Sequence, residues 1–493
     1  MQVELWAGLA VVAYLGVLYA IGRRTGRSGS MADFSLGGRR SPWWAVAFGM
    51  VGTSLSGVTF LSVPGWVGDQ QFGYMQMVIG YLFGYAVIIG VLLPLYYRLQ
   101  LTSIYRLLGE RIGPRSYRTG AGFFLLSRSM GAAFRLYLVV LVLNETLLPE
   151  IGYWGGWLRL TLLIALVLGA IWAYTRHGGI STVVWTDTLQ TACMLIASGT
   201  AVWLIGRELG LTLWEIPVAI ADSGHSRWWF FGDWGAGNHG VKQLIAGAFI
   251  ALCMTGLDQD MMQKNLSCRN LKDAQLNMAS FSVVLVFVNL LFLGLGALLL
   301  MFTSEAGMTV DRADLLFARV ALDGGLGTVL PVLFMLGLVA AALSSADSAL
   351  TALTTSVCVD FMGMDGEKAS DERSRRQRIH LLVSVVVGLL ILAFHAVNDT
   401  SVIAALFKIA GYTYGPLLGL FAFALTAKSS NKTVDLWVPV IAVLAPMLGW
   451  GLEQALSGAG FSFGFALLPI NGFLTWVGAW LVSLFSGIRA QPV

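Results

Sequence analysis

The chain alternates between apolar runs of about 20 residues and shorter polar connections. A helix of that length crosses the roughly 30 Å hydrocarbon core of a bilayer. The runs predict thirteen membrane helices, over residues 4–22, 43–67, 74–97, 119–146, 153–174, 180–206, 240–263, 275–302, 328–360, 379–397, 401–427, 433–451 and 463–486. The pattern therefore predicts an all-α polytopic membrane protein.

Composition agrees with this prediction and argues against a soluble or nucleic-acid-binding protein. Hydrophobic residues make up 57% of the chain and charged residues 12%, and the mean hydropathy is +0.74. A chain this apolar is not a soluble or nucleic-acid-binding domain, so its net charge of +4 reflects membrane topology. The four cysteines are scattered without the spacing of a metal site or a disulfide framework.

Basic residues predict the orientation of the helices. Most lysines and arginines fall in alternate connections, among them the segments after the first, third and ninth spans. Lys264 counts with this group, because the seventh span is predicted to end at residue 263. Cytoplasmic loops are the ones enriched in Lys and Arg. We therefore expect a plasma (inner) membrane protein with its N-terminus outside and its C-terminus in the cytoplasm.

Two of the predicted spans contain interruptions. Residues 48–65 of the second span combine glycines, hydroxyl side chains and Pro64, and residues 254–260 of the seventh read MTGLDQD. Such segments weaken a helix where backbone carbonyls can face a ligand. The two spans begin two sets of five helices, and an odd number gives the second set the opposite orientation. Inverted repeats with broken first helices are typical of transporters.

This arrangement predicts a single transmembrane domain over residues 1–493. Within it we expect a leading helix at 4–22, a first repeat at 43–206, a second repeat at 240–427 and two peripheral helices at 433–486.

Small and hydroxylated residues share one face of the ninth span. Ala341, Ser344, Ser345, Ser348 and Ala352 recur at helical spacing, and Asp347 lies beside them. One interpretation is a close-packing face, since small residues let membrane helices approach. The other is an ion site, because hydroxyls and a carboxylate at this depth need a polar partner or a cation.

Four motifs in order along the chain resemble the sodium/solute symporter family. They are residues 174–190 (YTRHGGISTVVWTDTLQ), the Ala341 to Ser345 face, the segment from Ser56-Gly57 to Pro64-Gly65, and residues 411–416 (GYTYGP). The resemblance implies a leucine-transporter-type inverted-repeat fold with one extra leading helix. It also implies a sodium-coupled transporter without enzymatic activity or an organic cofactor.

The resemblance also implies residues for binding sodium (Na+). The shared site of the family corresponds to the backbone carbonyls of Gly52, Leu55 and Ala341 and the hydroxyls of Ser344 and Ser345. A second sodium site of some relatives corresponds to Asp187, Ser344, Asp347 and Ser348. Asp347 departs from the serine or threonine expected there, so this position is open to either a second sodium ion or a proton.

Substrate contacts are expected beside the first interruption. Ser54, Ser56 and Thr59 match positions that face the substrate in relatives, and Gln76 and Thr255 are added as further candidates. Tyr412 and Tyr414 are candidate gate residues.

Two arginines lie inside the fourth span. Arg135, near mid-span, is a candidate for binding an anionic group of the solute. The alternative is that Arg135 or Arg128 neutralises Asp187 or Asp347, since charges in a membrane usually pair.

The predicted function is secondary active transport. Inward sodium movement would drive uptake of a small polar organic solute, such as a sugar, a sugar acid or a carboxylate. The expected partners are this solute, sodium ions and the lipid bilayer, with no nucleic acid. Three alternatives are a proton-coupled symporter using Asp187 and Asp347, a solute sensor on the same fold, and an intramembrane enzyme. An enzyme with Ser344 or Ser345 as nucleophile would need a histidine or lysine base, and the nearest histidine, His380, lies in another segment at the inner boundary.

Overall fold

The computed structural model describes residues 2–25, 31–147, 153–310, 312–364, 369–397, 402–426, 432–458 and 460–489. These residues form an all-helical structure whose only extended pairing is one bridge between Ser41 and Cys268. The α-helices are α1 (Gln2–Thr25), α2 (Met31–Leu36), α3 (Trp43–Ser54), α4 (Gly57–Gln70), α5 (Tyr74–Val87), α6 (Leu93–Arg98), α7 (Arg106–Arg111), α8 (Pro114–Leu147), α9 (Tyr153–Gly178), α10 (Ile180–Glu208), α11 (Ile216–Asp222), α12 (Gly240–Ala251), α13 (Gln259–Leu266), α14 (Leu271–Glu305), α15 (Leu316–Asp323), α16 (Val329–Ser356), α17 (Ala369–Val397), α18 (Val402–Thr426), α19 (Lys432–Ser457) and α20 (Leu467–Arg489). Short π-helical turns follow α5, α12 and α16, at Ile88–Leu92, Leu252–Gly256 and Val357–Phe361.

The structure confirms the predicted membrane helices. In the described part of the chain, 11 helices are long and apolar enough to cross a membrane, and the total is 13 when each of two bent pairs counts as one span. The bent pairs are α3 with α4 and α12 with α13, which are the second and seventh predicted spans. The limits differ mainly where helices extend beyond their apolar runs, as α8 and α14 do at their N-terminal ends.

The first bent span breaks at Leu55 and Ser56. The axes of α3 and α4 differ by 57°, and both residues between them leave the helical region, with ψ angles of 72° and 177°. Helical hydrogen bonding stops with the Leu55 amide, which donates to the Val51 carbonyl at 2.8 Å. The break therefore precedes Pro64, which lies inside α4.

The second bent span breaks at Leu257 and Asp258, where the chain turns by 63° after the π-helical turn that ends at Gly256. The Asp258 carboxylate caps the next helix by accepting a hydrogen bond from the Asp260 amide at 2.9 Å. An aspartate is a preferred N-cap residue because its oxygen pairs an otherwise free backbone N–H. Both interruptions predicted from the sequence are therefore present.

Helix α16 lies at the centre of the fold. Every residue from Gly337 to Ser356 is buried, so the helix is enclosed on all sides. It packs against α1, α8 and α10, and α10 in turn packs against α3. This arrangement brings the hydroxyl face of α16 next to α10 and the first break.

Candidate ion and solute site

The centre of the site is the carboxylate of Asp187 on α10, which is fully buried. Ser344 Oγ of α16 donates a hydrogen bond to its Oδ1 atom at 2.7 Å. Thr53 Oγ1 of α3 donates to its Oδ2 atom at 3.0 Å. Lys264 Nζ of α13 pairs with the same Oδ2 atom at 2.6 Å and also contacts the Thr53 hydroxyl. One carboxylate thus joins α10, α16 and one half of each bent span.

Lys264 corrects the sequence-based topology. Its predicted place was a cytoplasmic loop, but its side chain is 1% exposed and lies against Asp187. The physical reason is the turn at Asp258, which directs α13 into the protein instead of out of it. All eight residues of α13 are buried, although most of them are polar.

The five residues predicted to bind sodium belong to the first bent span and to α16, and the backbone of Gly52 lies close to Ser344. All are buried: Gly52, Leu55, Ala341, Ser344 and Ser345. Among the described residues, no N–H or O–H group donates to the carbonyl of Gly52 or Leu55. Ser345 Oγ lies 3.2 Å from the Ala341 carbonyl oxygen on the same helix. Carbonyl and hydroxyl oxygens are the ligands that a hard cation prefers, so this donor set fits sodium.

Gly52 is the close contact between the two halves of this site. A Cβ atom there would collide with the Thr191 hydroxyl of α10, and its position is 3.4 Å from Ser344 Oγ. The absence of a side chain therefore lets α3 approach α10 and α16.

The residues of the second predicted site face different partners. Asp187 and Ser344 bond to each other. Asp347 Oδ2 instead accepts hydrogen bonds from Tyr174 at 2.7 Å and Thr186 at 3.3 Å. The hydroxyl of Ser348 donates to Asp260 of α13. Within the described residues, these four side chains do not point toward a common centre.

The two arginines of α8 have different surroundings. Arg128 forms an ion pair with Asp260 and lies 3.8 Å from Asp258 Oδ2. Arg128 therefore does not neutralise Asp187 or Asp347, because its ion-pair partner is Asp260; Asp187 pairs with Lys264. Arg135 is 9% exposed, and it makes no hydrogen bond or ion pair within the part of the chain that the structure describes.

Arg135 lines a cavity of about 100 Å³ beside the first break. Four other predicted substrate contacts line the same cavity: Ser54, Ser56, Thr59 and Thr255. Three tyrosines of α5, Asn289 of α14, Thr53 and Arg128 also contribute polar groups to its wall. The tyrosines, Tyr74, Tyr81 and Tyr85, were missed from the sequence, although their spacing of seven and four residues places them on one helical face.

Gln76 lies outside this cavity. Its amide nitrogen donates to the carbonyls of Gly73 and Asn238, both at 3.2 Å, and its oxygen accepts from the Phe230 amide at 3.0 Å. These bonds attach the start of α5 to the segment between α11 and α12. Gln76 therefore fixes a loop.

Neither candidate gate residue lines this cavity. The Tyr414 hydroxyl donates to the Asp258 carboxylate, and Tyr412 does not line the cavity. A row of aromatic rings contributes to the walls of this cavity and of a second one: Tyr74 contacts Trp66 at 5.9 Å between ring centroids, Trp66 contacts Phe465 at 6.3 Å, and Phe465 contacts Phe407 at 4.9 Å. Tyr74 lines both cavities. The two cavities therefore share an aromatic part of their lining.

Comparisons with known proteins show which family this chain resembles. The family model of the sodium:solute symporter family matches residues 34–441. A sodium/sialic acid symporter of Proteus mirabilis is 25% identical over 476 residues, which cover 91% of this chain and 90% of that protein. Sodium-coupled monocarboxylate transporter 1 of Homo sapiens is 25% identical over 474 residues, covering 90% and 74%.

Solved structures support the same fold. A sodium-coupled sialic acid symporter in a substrate-bound outward-open state aligns with a TM-score of 0.79 at 19% identity, over 97% of this chain and 98% of that one. A nucleobase-cation-symport-1 family transporter aligns with a TM-score of 0.56 at 13% identity, over 91% and 93%. These similarities confirm the predicted inverted-repeat transporter fold.

The different surroundings of the two arginines predict different effects on stability. Arg128→Gln should leave the buried Asp260 carboxylate without its partner and cost about 3–5 kcal/mol. Arg135→Gln removes a charge that has no partner and should leave stability unchanged or raise it. Thermal unfolding of both variants in detergent measures the difference. Equal losses in the two variants would contradict these pairings.

Proposed function

The chain belongs to the sodium:solute symporter family, and we propose that the solute it takes up carries an anionic group bound by Arg135. As a family member it is a multi-pass membrane transporter that couples sodium to the uptake of a small polar organic solute. The observation that carries the proposal is the guanidinium of Arg135, which has no partner among the described residues, at the wall of a cavity with several hydroxyl groups beside the broken helix.

Burial of an unpaired charge in a membrane protein is costly, and such groups mark binding sites for ions or solutes. A carboxylate in the cavity would give Arg135 a partner and can bind a guanidinium through two parallel hydrogen bonds. Hydroxyl side chains around the cavity, such as Ser54 and Thr255, can bond the remaining polar groups of the solute. Relatives named for sialic acid and for monocarboxylates transport solutes of this chemical class, which supports a sugar acid or a small carboxylate.

We assign one sodium ion to the site between the first break and α16. Its ligands would be the carbonyls of Gly52, Leu55 and Ala341 and the hydroxyls of Ser344 and Ser345. The break that would supply sodium ligands also lines the solute cavity, since Ser54, Leu55 and Ser56 all contribute to its wall. Sodium and solute would therefore order the same short segment. Each then raises the affinity for the other, as reciprocal coupling requires.

The contacts of Ser344 and His380 give little support to the alternative hypothesis of an intramembrane enzyme. Ser344 donates to Asp187, while the ring nitrogens of His380 bond with Thr175 and Thr354. His380 is thus engaged away from the two serines that it would have to activate.

We also propose that the N-terminus is outside and the C-terminus in the cytoplasm of the plasma membrane. Basic residues in alternate connections support this orientation even when Lys264 is removed from the count. A tag at the N-terminus should react with an impermeant label in intact cells, and a tag at the C-terminus should react only after permeabilisation. The reverse result would contradict the orientation.

Ser345→Ala should weaken sodium binding without loss of the fold. Removing one hydroxyl ligand of a cation should raise the sodium concentration for half-maximal uptake about tenfold, or about 1.4 kcal/mol. The measurement is solute uptake into proteoliposomes against sodium concentration at fixed pH.

Ser198→Ala is the matched control, because Ser198 is a buried serine that bonds the carbonyl four residues earlier, as Ser345 does. An unchanged sodium dependence in Ser345→Ala, or an equal change in both variants, would remove Ser345 from the site.

Arg135→Gln tests the anionic solute. Labelled sugars, sugar acids and small carboxylates are first screened for sodium-driven uptake by the wild-type protein, and we expect a carboxylate to be accepted. The variant should transport that carboxylate with a kcat/KM lower by about tenfold to hundredfold, because a charge-assisted bond is lost.

Binding of radioactive sodium without solute should be unchanged in Arg135→Gln, which controls for folding. Wild-type selectivity for an uncharged sugar, or retained carboxylate uptake by the variant, would contradict the proposal.

A further inference from the structure

Lys264 is a buried cation within the ion-binding region. Its ammonium group lies 2.6 Å from Asp187 Oδ2 and contacts the hydroxyl of Thr53. The lysine side chain is 1% exposed and the aspartate side chain fully buried. Without a positive partner the carboxylate would be costly at this depth, so each charge of the pair requires the other.

The ammonium group lies where a sodium ion bound to the Asp187 carboxylate and the Thr53 hydroxyl would lie. Resemblance to sodium/solute symporters assigned Asp187 to a second cation site together with Ser344, Asp347 and Ser348. Both an ammonium group and a sodium ion carry one positive charge and bind carboxylate and hydroxyl oxygens. The two cannot occupy one place, and two positive charges a few ångströms apart repel strongly in a buried site.

The remaining residues of that site are already engaged by the protein. Asp347 Oδ2 accepts hydrogen bonds from Tyr174 and Thr186, and Ser348 donates to Asp260. Asp347 Oδ1 has no hydrogen-bond donor among the described residues, but Ser348 is turned away from it toward α13. The oxygens therefore do not form a cage around a free ion.

We propose that Lys264 is a tethered cation that fills the second cation position, so that this transporter couples one sodium ion to each solute molecule. The proposal rests on the sodium-coupled function given above. The positive charge beside Asp187 is then covalently part of α13, so it does not dissociate during the transport cycle. The ion that does dissociate is the one between the first break and Ser345.

Removal of the tethered cation should open its position to sodium. The variant Lys264→Gln leaves the Asp187 carboxylate without a positive partner, while the amide keeps most of the side-chain volume. A sodium ion can then bind between Asp187, Thr53 and Ser344. The double variant Lys264→Gln/Asp187→Asn removes both charges of the pair and should not bind this ion.

The experiment measures sodium stoichiometry in purified protein and in proteoliposomes. Radioactive sodium binding gives the number of ions per chain, and the ratio of charge to solute flux gives the number per transport cycle. We expect one sodium ion for the wild-type protein, two for Lys264→Gln and one for the double variant. The Hill coefficient for sodium should rise from about one to about two only in Lys264→Gln.

The outcomes separate this proposal from the proposed function. Two sodium ions in the wild-type protein, or a folded Lys264→Gln variant that still binds one, overturns the tethered cation and leaves sodium coupling intact. Uptake by the wild-type protein that is independent of sodium overturns the function itself. If Lys264→Gln is not recovered as folded protein, the double variant decides: an unchanged stoichiometry supports the proposal, and the loss of an ion relative to the wild-type protein overturns it.

Discussion

The structure depends on one buried carboxylate and the groups that make its burial possible. Asp187 is removed from water in the middle of the helix bundle, where an isolated charge is strongly unfavourable. Lys264, Thr53 and Ser344 supply its partners, and each comes from a different helix. Pairing the carboxylate therefore also fixes α10, α16 and one half of each bent span relative to one another.

The first break connects this cluster to transport. Because Leu55 and Ser56 leave the helical conformation, carbonyl groups on α3 lose their helical donors and remain available to a cation. Side chains from the same few residues form one wall of the solute cavity. A segment with so few backbone hydrogen bonds of its own has little intrinsic order. Sodium and solute that both order this segment can therefore each raise the affinity for the other without contacting each other.

Much of this organisation was predictable from the sequence because it depends on local pattern. Apolar runs of the length of a bilayer marked the membrane helices, and glycines with hydroxyl residues marked both broken spans. Ser344 and Asp187 were singled out by motifs and meet in the structure at 2.7 Å. Ser54, Ser56 and Thr59 were placed beside the break and do line the cavity.

What could not be predicted depends on the direction of the chain after a break. The predicted seventh span ended at residue 263, inside α13, so Lys264 was assigned to the loop that follows; the direction of the turn at Asp258, which buries Lys264, has no signature in hydropathy. Gln76 and Tyr414 were taken for site residues because polar groups in membrane spans suggest function. Their partners, the Asn238 carbonyl and the Asp258 carboxylate, come from distant parts of the chain that only the fold brings near.

The central claim is that sodium binds to the unwound segment of α3 and α4. Hydrogen–deuterium exchange, followed by mass spectrometry in sodium and in potassium at equal ionic strength, tests it most directly. The account predicts slower exchange in sodium for peptides that cover residues 50–60, with no change for peptides from α1. Equal exchange of residues 50–60 in the two salts would contradict it.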